Sequence, residues 1–298
     1  MRAYIVPMAR SLTVALAQYV PLNGPDEVEV LRSSAAEMCS AAPGLDLIVF
    51  PEIHLCGDGD DAPDTNEWLN AAAEPLAGPR QRALCRVAAD LGVWLIPGSV
   101  PELGDDGRVY NTAIVVDRRG DLVAYYRKVF PWRPHETWAP GHDFTVFDIP
   151  GIGRGGLSIC YDAWFPESTR SLAWMGAEFV VNVVKTTGSD RAQERILARA
   201  NAITNQVFML SVNAAGPVGA GGSLVSDPEG TVIADLPSDE PGLAIVEIDL
   251  DDVTRVRQHG TEGLNRMWSQ MLPGDPLIDL PVYSGHIDPA TWRPRGQS

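Results

Sequence analysis

Four residues of this chain are of the types that carry covalent chemistry at a carbonyl. Glu52 closes the run LIVFPE, Lys128 closes LVAYYRK and Cys160 closes GGLSIC, while Glu136 lies in YYRKVFPWRPHETWAPG at 125–141. A thiol can attack a carbonyl carbon, a carboxylate can take and return the proton, and an ammonium can steady the oxyanion. Each residue also has a plain structural alternative. An unpaired cysteine usually packs as a small apolar group. Glu52 after a proline suits a turn cap, as does Glu136 before Trp138, and Lys128 beside Arg127 suits a strand end in solvent. Taken together at strand ends, where α/β sheets gather functional groups, they favour a site.

The elements that must position them read as alternating strands and helices. Short Val-, Ile- and Leu-rich runs predict strands at 12–18, 45–52, 93–100, 155–160, 178–184, 207–215, 221–227 and 243–249. Helical patterns cover 26–42, 79–91, 166–176 and 190–205. Strands at 110–117 and 122–128 flank RRGD, a turn suited to a hairpin that would deliver Lys128. Such alternation argues for an α/β architecture with buried sheet. With no internal repeat or linker, 1–270 reads as one domain. Residues 271–298, rich in Pro and Gly, are expected to pack on a surface or a partner subunit.

Composition bounds the partners. Formal charge is 23 − 39 = −16 over 298 residues, which repels phosphate backbones and anionic lipid heads. Nucleic acid and membrane surfaces are therefore not expected. No apolar run approaches the roughly 18 residues of a membrane span, and the start of the chain is too interrupted for a signal peptide. Cys39, Cys56, Cys85 and Cys160 lack CxxC spacing and clustered histidines, so neither zinc nor a disulfide framework is expected. A reducing cytoplasm is the default compartment.

FPE at 50–52, YRKVFPW at 126–132 and SICYDAWFPE at 158–167 resemble, in order, the three motif regions of the carbon–nitrogen hydrolase (nitrilase) superfamily. NTAIVVDRRGDLVAYYRK, RANAITNQVFMLSVNAAG and GGSLVSDPEG resemble that family's connecting elements, so the likeness spans roughly 11–260. It implies a four-layer αββα sandwich that dimerises into αββααββα, and hydrolysis of a small-molecule carbon–nitrogen bond without metal or organic cofactor. Cys160 would form a thioester, Glu52 would be the general base, and Lys128 with the Tyr161 N–H would hold the oxyanion. Glu136 matches a glutamate of the aliphatic amidase branch, implying a role in holding the lysine and the substrate.

The residues around the motifs narrow the branch. Cys160-Tyr161-Asp162 differs from the Cys-Trp-Glu of nitrilases, and Ala163 and Trp164 stand where N-carbamoyl-D-amino-acid hydrolases carry arginines. A linear carboxamide, releasing ammonia, is the expected substrate; an N-carbamoyl amide, or a silent scaffold of the same fold, is the alternative. Gly221-Gly222-Ser223 departs from a Gly-His-Ser common among relatives. Lys185 is either a solvated loop lysine or a pocket residue drawing anionic acyl groups. Trp132, Trp138, Tyr161 and Trp164 are candidates for an apolar wall. His135 and His142 are read as loop or surface histidines.

Overall fold

A computed structural model of the chain describes residues 10–57 and 65–280. The elements, in chain order, begin with β1 (Ser11–Gln18), α1 (Glu27–Ala41), β2 (Leu47–Val49), α2 (Thr65–Ala71) and α3 (Pro79–Leu91). Next come β3 (Trp94–Ile96), β4 (Ser99–Leu103), β5 (Val109–Val116), β6 (Leu122–Arg127), β7 (Val146–Ile149) and β8 (Gly153–Ile159). The remainder are α4 (Pro166–Trp174), β9 (Phe179–Val184), α5 (Arg191–Asn205), β10 (Phe208–Asn213), β11 (Ser223–Ser226), β12 (Val232–Leu236), β13 (Gly242–Asp249) and α6 (Asp251–His259).

Side-chain alternation builds the layers. One sheet runs β13-β1-β2-β3-β5-β4 with β6 also paired to β5, and the other runs β12-β11-β10-β9-β8-β7. Successive strand residues point to opposite faces. From β1, Leu12, Val14 and Leu16 enter a core shared with Phe179, Val181, Leu210 and Val225 of the second sheet. Ala15 and Ala17 face the other way, onto Leu31 and Ala35 of α1 and Leu84 and Val87 of α3. In the second sheet, Val180 and Met209 turn outward onto Leu172 of α4 and Ala198 and Ala202 of α5. The layers are thus helices, sheet, sheet, helices, as expected. Each such aliphatic side chain contributes roughly 1.5–3 kcal/mol on burial, so Val181→Asp would put an unpaired charge into the inner core.

The β5–β6 hairpin also forms as expected, its turn closed by Asp117 Oδ1 accepting the N–H groups of Arg119 and Asp121. Two strand expectations need correction. The run at 45–52 is a strand only over Leu47–Val49, because Pro51 has no N–H to pair, so Glu52 stands on a turn. The run at 93–100 breaks into β3 and β4 at Pro97-Gly98. Gly98 has φ +89°, and a Cβ there would strike the Pro51 carbonyl, so only glycine lets this bend approach the Glu52 turn. The sequence reading also missed α2, β7, β12 and α6. Strand β12, VIADL, alternates half-buried and exposed residues, and its apolar run is only three residues long before Asp235. Met271, Leu272, Leu277, Ile278 and Leu280 are exposed. The rest of the expected packing segment, 281–298, lies outside the described residues, as do 58–64 of the loop after Glu52.

Candidate active site

The Glu52 turn is pinned by its neighbours. Phe50 N–H donates to the Ile96 carbonyl at 2.9 Å, Ile53 N–H to Ser99 Oγ at 3.1 Å, and Glu52 N–H to the Val184 carbonyl at 3.3 Å. Ile53 sits at φ 47°, a left-handed conformation rare for a β-branched residue. The carboxylate is buried. Its Oε1 accepts Asn111 Nδ2 at 2.8 Å and Lys128 Nζ at 3.1 Å, and its Oε2 accepts the Lys185 backbone N–H at 2.9 Å.

Lys128 follows β6, its N–H donating to the Asn111 carbonyl and its carbonyl accepting from Gly141 N–H. The side chain is 1% exposed, and its ammonium lies between Glu52 Oε1 and Glu136 Oε1, the latter at 2.7 Å. A turn fixes Glu136: its N–H donates to the Trp132 carbonyl at 2.8 Å, and its Oε2 accepts the Trp132 N–H at 2.9 Å. Burial alone would push the lysine down, but the carboxylates of Glu52 and Glu136 outweigh it and hold the ammonium above its ordinary value. Removing the cation would leave two carboxylates uncompensated, which costs far more than an exposed ion pair is worth.

Cys160 begins a single 3-10 turn, Cys160–Trp164, between β8 and α4. Its φ of 46° marks a sharp strand-to-helix bend, of the kind that persists where surrounding contacts over-determine it. Asp162 supplies them. Its Oδ2 accepts the Ile159 N–H and the Tyr126 hydroxyl, each at 2.9 Å, and its Oδ1 accepts the Phe130 N–H at 2.9 Å. The bend and the segment after Lys128 are thereby tied to one buried side chain. Burial raises Asp162 to about 6. Burial also raises the Cys160 thiol well above its usual range; Glu52 adds to that rise and Lys128 opposes it. The resting sulfur is therefore protonated at neutral pH, and attack requires a base.

A second polar wall faces the sulfur. Thr186 Oγ1 lies 3.8 Å from Cys160 Sγ and donates to Glu194 Oε1 at 2.8 Å. Glu194 pairs with Arg191 at 3.1 Å, and all three side chains are buried. Between the two walls opens a cavity of about 510 Å³, bordered by Cys160, Glu52, Glu136, Thr186 and Glu194 with a rim of aromatic and loop residues. That volume suits a small molecule. Among the described residues, no group of three or more His, Cys, Asp or Glu side chains is arranged to hold a metal ion.

Residues 13–258 match the model of the carbon-nitrogen hydrolase family. The chain belongs to that family. A formamidase of Bacillus cereus is 34% identical over 218 residues, covering 71% of this chain and 64% of the relative, so the match spans less than two thirds of the formamidase's length. Saccharomyces cerevisiae Nit3, a member of branch 10 of the nitrilase superfamily, superposes with TM-score 0.74 at 26% identity, covering 83% of this chain and 93% of Nit3. A mutant amidase of Nesterenkonia sp. AN1 superposes with TM-score 0.68 at 27% identity, covering 89% and 100%. In that protein the acetamide moiety of fluoroacetamide is covalently added at the active-site cysteine.

The fold brings Glu52, the Lys128–Glu136 segment and Cys160 together from three separate stretches of the chain. Trp132, Trp138, Tyr161 and Lys185 border the cavity, and so does His135, stacked on Trp132 with ring centroids 4.1 Å apart. His142 is exposed and paired with Asp143. Trp164 does not border the cavity. It sits beside Tyr161 on the same 3-10 turn, ring centroids 6.1 Å apart. Asn111, Asp162, Thr186 and Glu194 escaped the sequence reading. Asn111 offered one signal, an amide inside the apolar strand NTAIVV; Glu194 offered none, because DRAQERILARA reads as a solvated helix.

Proposed function

We propose that this protein hydrolyses linear carboxamides to a carboxylic acid and ammonia through a thioester on Cys160. The observation that carries the reading is the buried ammonium of Lys128 held between Glu52 and Glu136 beside a cavity-lining thiol. Glu52 takes the thiol proton as the sulfur bonds to the amide carbon. Lys128 and the Tyr161 N–H receive the oxyanion. The C–N bond then breaks with its electron pair on nitrogen, which takes the proton from Glu52 and leaves as ammonia. Glu52 next deprotonates water, whose oxygen attacks the thioester; the C–S bond breaks and the proton returns to sulfur. Held by Lys128 and Trp132, Glu136 positions the lysine and the substrate, while Trp132, Trp138 and Tyr161 wall the acyl group. Lys185 contributes its backbone N–H to Glu52 and its side chain to the rim.

The covalent acetamide adduct of the Nesterenkonia amidase and the formamidase likeness support amide hydrolysis here. The acidic surface, four free cysteines and the absence, among the described residues, of a helix long and apolar enough to cross a membrane are compatible with a cytoplasmic setting. A catalytic unit over 1–270 and assembly into a homodimer or larger oligomer complete the proposal. Ammonia release across a panel of amides, nitriles and N-carbamoyl compounds, with Cys160→Ala as blank, tests it. Release from amides by wild type alone is expected; release from carbamoyl compounds only, or from nothing, overturns it.

A further inference from the structure

The wall opposite Glu52 bears on which leaving groups fit. Thr186 gives its single hydroxyl hydrogen to Glu194 Oε1 at 2.8 Å. With that hydrogen given to Glu194, the hydroxyl has none left and turns lone pairs toward Cys160 Sγ, 3.8 Å away. Arg191, a guanidinium that stays charged, lies 3.1 Å from Glu194 and pairs with that carboxylate. Its remaining N–H groups donate to the Gly221 and Gly222 carbonyls at 2.9 Å and to Ser211 Oγ at 3.2 Å. The bare Gly222 leaves it room: a Cβ there would lie 3.2 Å from Arg195 Cδ and 3.4 Å from Arg191 Nε. Asn213 clamps the Thr186 backbone, accepting its N–H at 2.9 Å and donating to its carbonyl at 3.2 Å. The oxygen is fixed from both ends.

Lys128 offers hydrogens on one side, beside the accepting carboxylates of Glu52 and Glu136, while Thr186 with Glu194 offers lone pairs on the other. A primary carboxamide presents one accepting oxygen and two N–H donors; an ester of the same acid presents no donor. In the tetrahedral adduct the nitrogen is two bonds from the sulfur, within hydrogen-bond reach of an oxygen 3.8 Å from that sulfur. We propose that Thr186, held in place by Glu194 and Arg191, is a specificity-determining residue that accepts an N–H of the scissile amide and selects amides over esters of the same acid. The nitrogen keeps an N–H toward Thr186 while it gains the proton from Glu52, whereas an ester oxygen would meet Thr186 lone pair to lone pair. This rests on the amide-hydrolase reading above.

The test is kcat/KM for a primary amide and the methyl ester of the same acid, in wild type, Thr186→Val, Thr186→Ser and Glu194→Gln. Thr186→Val should lose about 10- to 100-fold on the amide and at most about twofold on the ester. Thr186→Ser, which keeps the acceptor, should retain the wild-type ratio. Glu194→Gln should lose about tenfold on the amide alone, and it carries the same test if Thr186→Val does not fold. An equal fall on both substrates, or an unchanged ratio, overturns the inference while leaving the amide reading intact. A wild type that releases no ammonia from any amide overturns both.

Discussion

Two buried glutamates flank the same sulfur, and they are built for different work. Glu52 faces the cavity directly, shares Lys128 with Glu136, and takes further hydrogens from Asn111 and the Lys185 N–H. Glu194 reaches the sulfur only through the Thr186 hydroxyl, and its cation, Arg191, is tied to backbone carbonyls and Ser211. Residue type and burial are alike; what separates them is the group standing between carboxylate and thiol. A carboxylate beside the reacting atoms can exchange a proton, while one behind a hydroxyl can only set that hydroxyl's polarity.

Glu52→Gln keeps the shape and removes the proposed base, so amide turnover should fall about 10²- to 10⁴-fold. The matching Glu194→Gln should fall only about tenfold, and comparable losses in steady-state assays would erase the distinction. A finer probe is the pH profile of Cys160 alkylation. Both carboxylates raise the thiol, Glu52 the more strongly, so both substitutions should move the profile to lower pH, with Glu52→Gln moving it further. The reverse order would show that the intervening hydroxyl does not shield Glu194.

The smallest effect separates stability from chemistry on the Glu52 side. His54 is fully buried against Phe50, ring centroids 4.7 Å apart, and burial lowers it to about 3 from 6.5. Between those values the unfolded chain binds the proton and the folded chain does not, so stability rises with pH across that window and is lost on acidification. From pH 7 to pH 5 the His54 contribution falls by about 2 kcal/mol, partly offset by Asp162, whose raised value favours the fold on acidification. His54→Phe should remove that slope in urea melts at the two pH values while leaving the amide-to-ester ratio unchanged.

What could be read beforehand follows from the range of the interactions. Strand runs were legible because a strand buried on both faces is dominated by apolar residues, as FVVNVV in β9 is, with Asn182 its one polar member. Glu52, Lys128 and Cys160 were legible because charged or nucleophilic groups interrupt such runs at their ends. Glu136 needed the family pattern as well. Asp162, Thr186 and Glu194 were not legible: their partners lie 32, 26 and 8 residues away, on other elements for the first two.

The sequence by itself determined the α/β class and the set of groups able to attack a carbonyl, since both follow from local periodicity and side-chain chemistry. Only the tertiary structure decided that Glu52 shares Lys128 with Glu136 and that Glu194 bonds the Thr186 hydroxyl beside the sulfur. It also decided that the thiol rests protonated while the lysine rests charged. Those outcomes depend on burial and on distances between segments far apart in the chain, which set the local dielectric and the sum of neighbouring charges.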